Sequence, residues 1–300
     1  MRNKILAFPL ALAALFAGAC GQNVTAIKFG VVTDVHHYAG QPAGTRYYQA
    51  SLGKLREALA TFEKEEVQFV VNLGDTVDRD LRSYTAVVPL FEAASMPVYH
   101  VVGNHDFGVE AGQEEQVLPA LGLKDSYYAF SRGDWVFVVL NGFELRFPFP
   151  GDEAFKQESE ALYAGLRAGG KNNARPWNGG IGRVQLGFLE GKLKQAQKSG
   201  KNALVFCHFP VLPESASNLW NDAEAVALLE KYPSVKAYFC GHNHAGGYVF
   251  KNGIHYLTFQ AMVETPDSPA YAVVTIEKDA ILIKGFGREP SRELGLEPGR

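Results

Sequence analysis

From residue 27 onward the chain alternates short apolar runs with amphipathic stretches. Ile27–Thr33 reads as a buried strand, its apolar run broken by Lys28 and Gly30. Leu52, Leu55, Leu59 and Phe62 recur at the spacing of one helix face and predict a helix over about Tyr47–Lys64. Val67–Leu73 is the next strand, a helix follows near Leu81–Ala94, and Pro97–Val102 is a third strand. This strand–helix alternation implies a parallel sheet with right-handed crossovers.

The later half is richer in strands. Tyr127–Phe130 and Trp135–Leu140 flank Arg132-Gly133-Asp134, a hairpin pattern. Residues Asn141–Gly182 are rich in Gly, Pro and Asn, with one helical stretch near Glu153–Leu166. A connection this long inside a compact domain points to function, so 141–182 is expected to be a substrate-side insertion. Leu186, Leu189 and Leu193 mark another helix, then strand Ala203–Cys207, helix Ala223–Lys231 and strand Val235–Cys240. Tyr248–Phe250, His255–Phe259, Ala270–Ile276 and Ile281–Lys284 are short strands, with a polar tail from Gly287. The pattern predicts one α/β domain over 20–300, with two packed sheets flanked by helices.

Composition narrows the class. An apolar fraction of 47% disfavours disorder and a multi-span membrane protein, and a net charge of −3 without long like-charge runs gives nucleic acid no footing. A phosphate-type anion would have to be drawn by a local positive centre. Residues 1–19 read as a leader: Arg2 and Lys4 precede an apolar run, Ile5–Phe16, too short to span a bilayer. Ala17-Gly18-Ala19-Cys20 resembles a lipoprotein cleavage box, and Ala17-x-Ala19 also suits ordinary secretion. The expectation is an exported bacterial envelope protein, tethered through Cys20, and otherwise a monomer. Cys207 and Cys240 could pair in such a compartment or remain free.

The chemistry lies in five polar clusters, several of them directly after an apolar run. They read Asp34-Val35-His36, Gly74-Asp75-Thr76-Val77-Asp78, Gly103-Asn104-His105-Asp106, His208, and Gly241-His242-Asn243-His244. Asp34 and His36, two apart, would converge if the strand stayed extended, as would His242 and His244. Asp75, just past a strand end, can bridge two ions, and Asn104 adds an amide oxygen. Two carboxylates, one amide and four imidazoles suit Mn, Fe, Zn or Co better than Ca or Mg. Two divalent ions, two carboxylates and a bridging hydroxide leave a site of about +1, which favours a phosphate ester or anhydride.

These clusters resemble the calcineurin-like metallophosphoesterase superfamily, in order and spacing, over about 27–245. That resemblance implies an αββα sandwich of two mixed sheets. It also implies that Asp34, His36, Asp75 and His244 hold one metal, and Asp75, Asn104, His208 and His242 the other. His105 would then contact the phosphate as general acid, with Asp106 orienting its ring and Asp78 standing behind the ligands. Asp78 stands where purple acid phosphatases place a metal-binding Tyr, which argues against a purple iron(III) site.

A finer resemblance covers most of the chain after the leader. Gly44-Thr45-Arg46-Tyr47-Tyr48, Asn178-Gly179-Gly180, Leu219-Trp220-Asn221, Gly241-His242-Asn243-His244-Ala245-Gly246-Gly247-Tyr248, Val263-Glu264-Thr265-Pro266 and Gly285-Phe286-Gly287-Arg288 are similar to the manganese-dependent ADP-ribose/CDP-alcohol diphosphatases. It implies Mn and a nucleoside-diphosphate-linked alcohol or sugar as substrate.

Arg46, Tyr47, Tyr48, Asn178, Gly179 and Trp220 are the candidate substrate residues, Trp220 as a base-stacking ring. Arg175, Phe209 and Phe286 are weaker candidates. For each of these rings a place in the core is the competing assignment, and for the arginines solvation. His37, His100 and His255 fall outside the clusters and are assigned to structure. The competing functions are a broad phosphodiesterase or phosphomonoesterase, and a non-catalytic envelope lipoprotein. The last is disfavoured because no ligand position is lost.

Overall fold

A computed structural model of the chain describes residues 26–148 and 150–296. The leader and Cys20 lie outside the described residues. The first β-α-β-α-β stretch forms as its periodicity predicts. Strands β1 (Ile27–Val32), β2 (Phe69–Asn72) and β3 (Val98–His100) pair in parallel. Helices α1 (Ser51–Lys64) and α2 (Tyr84–Glu92) make the crossovers. A four-residue helix, α3 (Val117–Ala120), follows β3 and has no counterpart in the sequence reading.

The second sheet begins with the expected hairpin, β4 (Tyr128–Arg132) and β5 (Trp135–Val139), which pair antiparallel. The long insertion carries a 16-residue helix, α4 (Glu153–Ala168), whose N-terminus is capped by Asp152 accepting from Ala154 N and Phe155 N. Helix α5 (Arg183–Lys198), strand β6 (Asn202–Phe206), helix α6 (Asp222–Glu230) and strand β7 (Val235–Cys240) continue the parallel pairing from β5. Strands β8 (Gly247–Lys251) and β9 (Ile254–Thr258) close that sheet in the order β4-β5-β6-β7-β9-β8.

The chain then returns to the first sheet. Strands β10 (Ala270–Ile276), β11 (Ala280–Gly287) and β12 (Arg292–Gly295) give the order β12-β11-β10-β1-β2-β3. Strand β12 replaces part of the expected polar tail. Leu294 is its buried anchor, and one apolar residue in four is too weak a signal to read locally.

Three apolar layers hold the sandwich together. Between the sheets, Phe29, Val31, Phe69 and Val71 meet Phe137, Phe206, Phe239 and Leu257. The outer face of the first sheet packs on α1 and α2 through Val70, Leu55, Phe62 and Val87. The outer face of the second packs on α5 and α6 through Val138, Val205, Leu189, Leu193 and Leu229. Strand residues alternate between layers, as period two requires. Because β1, β2 and β3 run one way and β5, β6 and β7 run parallel to one another, each sheet delivers several C-terminal strand ends to one side. The polar clusters begin there.

Candidate active site

Asp34 lies two residues past β1, Asp75 three past β2 and Asn104 four past β3. His208 lies two past β6, while His242 and His244 follow β7. The strand-end loops are stitched to one another: Asp34 N donates to Gly74 O (3.0 Å), His36 N to Asp75 O (2.8 Å) and Gly241 N to His208 O (2.9 Å).

The convergence of Asp34 and His36 does not come from an extended strand. Asp34 (φ 51°), His36 (φ 46°), Asp75 (φ 53°) and His242 (φ 64°) all adopt left-handed backbone. Each such residue costs roughly 1–3 kcal/mol and persists because surrounding bonds over-determine it. The turns point all four side chains inward. Gly103 serves the same packing, since a Cβ there would land on Asp75 Oδ1.

The polar atoms meet tightly. Asp34, His36 and His244 each present a ligand atom within 4.8 Å of the others, and Asp75, His208 and His242 form a second such group. Asp75 Oδ2 lies 3.4 Å from His36 Nε2 and 3.0 Å from His208 Nε2, so one oxygen faces both groups. Asp34 Oδ1, His36 Nε2, His208 Nε2 and Asn104 Oδ1 are buried without a hydrogen-bond partner. Orphaned buried donor atoms are costly unless something completes them. Two divalent cations fit this set, because every orphan is an O or N lone pair aimed at one small volume.

The electrostatics agree. Burial would raise the Asp34 carboxyl, but His208, His244 and His36 hold it well below its ordinary range. Burial opposes a charge on His208, yet Asp75 and Asp34 outweigh it and push the ring up to about 9. Two buried carboxylates thus demand positive charge, and a histidine proton supplies it where a cation would. Burial pulls His36 down to about 4, which keeps its lone pair free.

In three of the four ligand histidines the other imidazole nitrogen is tied down, as metal-binding rings require, while His36 Nδ1 has no hydrogen-bond partner. His208 Nδ1 bonds Leu73 O (2.8 Å) and His244 Nδ1 bonds Glu264 Oε1 (2.6 Å). His242 Nε2 bonds Asn178 Oδ1 (3.0 Å). Glu264 was overlooked in its role, although Val263-Glu264-Thr265-Pro266 is one of the motifs above. A carboxylate six residues beyond the end of the buried strand β9 was the available signal.

His105 stands at the rim, and its partner corrects an expectation. Asp106 does not orient the ring. It is fully buried and accepts from Asp75 N, Thr76 N, Gly103 N and Tyr84 Oη–H, holding the loops together. Asp78 takes the orienting place, with Oδ1 2.9 Å from His105 Nδ1. His105 Nε2 is 3.4 Å from the Arg46 guanidinium.

A cavity of about 490 Å³ opens over these atoms, lined by Arg46, Asp75, Asn104, His105, Trp177, Ser217, His242, Asn243 and His244. Of the expected substrate residues, Arg46 lines it. Tyr47, Tyr48, Gly179 and Trp220 do not. Trp220 is 1% exposed, stacks near Tyr163 and donates its indole N–H to Arg175 O. Tyr48 is buried, Tyr47 is half-buried, and Gly179 packs against Gly142 and Phe143. Asn178 acts on His242 rather than facing the opening. Phe209 and Phe286 are ring-stacked packing residues, Phe209 on Phe143 and Phe286 on Tyr271, and Arg175 is exposed and bonded to Asn172. Trp177, the exposed ring that does line the cavity, was not singled out by sequence.

Cys207 and Cys240 are both free and buried. His37, His100 and His255 bond Tyr48 O, the Asn72 amide and Gly295 O respectively, away from the cluster.

The calcineurin-like phosphoesterase family model matches residues 27–246. The chain belongs to that family. It is 30% identical to the manganese-dependent ADP-ribose/CDP-alcohol diphosphatase of Oryza sativa, over 90% of this chain and 94% of that protein. It is 26% identical to the protein of that name from Homo sapiens, over 91% and 94%. The crystal structure of a dimetal phosphatase from Danio rerio superposes with a TM-score of 0.82 at 25% identity, covering 90% of this chain and 99% of that one. The protein is therefore a metal-dependent hydrolase with a dinuclear centre and the calcineurin-like fold, and manganese is the metal its relatives use. These relatives are plant and vertebrate proteins, and they overturn the expectation of a bacterial envelope lipoprotein. The leader segment on which that expectation rested lies outside the described residues.

Proposed function

We propose that the substrate is a nucleoside diphosphate esterified to an alcohol or a sugar, cleaved at its phosphoanhydride. The relatives named above carry that activity in their names, over nearly the whole chain. The observation that carries the proposal is the cavity: a small pocket would serve an isolated phosphate, whereas about 490 Å³ around the ligand atoms admits further substituents.

In this proposal Asp34, His36, Asp75 and His244 hold one ion, and Asp75, Asn104, His208 and His242 the other. Bound there, the ions supply Lewis acidity and an activated water for in-line displacement at phosphorus. The chain supplies the rest. Asp75 sets the separation of the two groups by sharing one oxygen between them. Asn178, Glu264 and the Leu73 carbonyl fix the rotation of His242, His244 and His208. His105, its Nδ1–H donated to Asp78, turns Nε2 toward the cavity, where it can protonate the leaving oxygen. Burial and Arg46 oppose its charge, but Asp75 and Asp78 outweigh them and raise its pKa, which favours the protonated ring a general acid needs. Arg46 adds a fixed positive charge beside it.

The test is one panel with Mn: ADP-ribose, CDP-choline, a cyclic nucleotide and p-nitrophenyl phosphate. The two diphosphates should show the highest kcat/KM. A higher value for the cyclic nucleotide or the aryl phosphate would replace this reading with a broad phosphodiesterase or phosphomonoesterase.

A further inference from the structure

We infer that Trp177 is the platform on which the planar base of the substrate stacks; this rests on the nucleotide reading above. Trp177 is 51% exposed, whereas Trp135 and Trp220 are 6% and 1% exposed. An indole left open to water gives up apolar burial, and this one is left open in the wall of the cavity that contains His105, His242 and His244.

The ring is also held in place. Asn178, the next residue, is fully buried and donates its amide to Asn173 O (3.0 Å) and Ala216 O (2.8 Å). Its oxygen meets His242 Nε2, so the platform is one residue from the group that orients a ligand of the metal centre. The Arg175 guanidinium lies 5.9 Å from the Trp177 ring centroid and is itself fixed to Asn172. A cation over one face leaves the other face for a ligand. Phosphates drawn to the ligand cluster leave the base to be carried outward by its ribose, toward the cavity wall. A flat aromatic ring is what a base meets favourably there, whatever its hydrogen-bonding edge.

The experiment measures inhibition constants of AMP and inorganic phosphate against p-nitrophenyl phosphate hydrolysis by the Mn-loaded protein. Wild type, Trp177→Ala and Trp177→Phe are compared. In Trp177→Ala the constant for AMP should rise roughly 5- to 150-fold, the range of one lost base stack, while that for phosphate stays unchanged. Trp177→Phe should recover most of the loss. AMP binding should quench the tryptophan fluorescence of the wild type and leave that of Trp177→Phe nearly unaltered, since the other two indoles are buried. An unchanged AMP constant, or equal losses for AMP and phosphate, overturns the inference while sparing the nucleotide reading. AMP binding the wild type no more tightly than phosphate brings down both.

Discussion

At His105 two neighbours act on one imidazole: Asp78 anchors Nδ1 at 2.9 Å, and Arg46 stands 3.4 Å from Nε2. The ring also stands within 4.8 Å of donor atoms of His36 and Asp75, but its two nitrogens face Asp78 and Arg46. His105→Ala should keep the full metal content and lose roughly 10²–10⁴ in rate, the range for general acid catalysis. The loss should be smaller for p-nitrophenyl phosphate, whose leaving group needs little protonation. An equal loss for every leaving group would reassign His105 to binding the phosphoryl group. Asp75→Asn should behave oppositely. A neutral amide cannot serve both ligand groups through one oxygen, so elemental analysis should find the metal content reduced and turnover abolished. Two full equivalents in an active Asp75→Asn protein would end the shared-carboxylate arrangement.

Among the elements, β1 and α1 show how closely the scaffold is fitted behind the site. A Cβ at Gly30 would lie 2.6–2.8 Å from the ring of Phe62, so only glycine lets α1 seat on the strand that leads to Asp34. Gly30→Ala should therefore destabilise by about 1–3 kcal/mol, the usual cost of overpacking, read as a lowered urea midpoint with unchanged slope. A midpoint equal to wild type would show that Phe62 can swing aside without loss. The insertion illustrates the other kind of element. Helix α4 is predictable from its own sequence, but the seating of Asn178 against His242, far away in the chain, is not.

For the molecule as a whole, pH acts through buried groups away from the cavity as well as within it. His100 is buried against Phe91 and bonded to Asn72, and burial holds its pKa down to about 4. The unfolded ring titrates near its ordinary value of 6.5. Below that pH the unfolded chain takes up a proton that the folded chain refuses, so this residue costs stability as pH falls from 6.5 toward about 4. The full effect is about 3 kcal/mol. Since His36 titrates in the same window, the useful measurement is a difference: Tm at pH 7 and pH 4.5 for wild type and His100→Asn. The variant should lose less on acidification. A parallel loss would mean that His100 opens to water before the fold gives way.

The sequence by itself determined the identity and order of the candidate ligands and the alternation of strands and helices. Both are local properties: donor chemistry belongs to each side chain, and periods of 2 and 3.6 are read over a few turns. Asp34, Asp75, Asn104, His208, His242 and His244 were legible for that reason, as were β1, β10 and α5. Tertiary structure decided which partner each of them meets. Asp78 faces His105 while Asp106 knits the loops, and left-handed turns after β1 and β2, not strand alternation, turn Asp34, His36 and Asp75 into the site. Trp220 is buried and Trp177 exposed, because the insertion folds back over Trp220, covering it with Tyr163 and bonding it through Arg175 O. Strand β12 exists only because β11 offers it an edge. A residue's chemistry is written in the chain, but its direction depends on backbone turns and on segments that come from far along it.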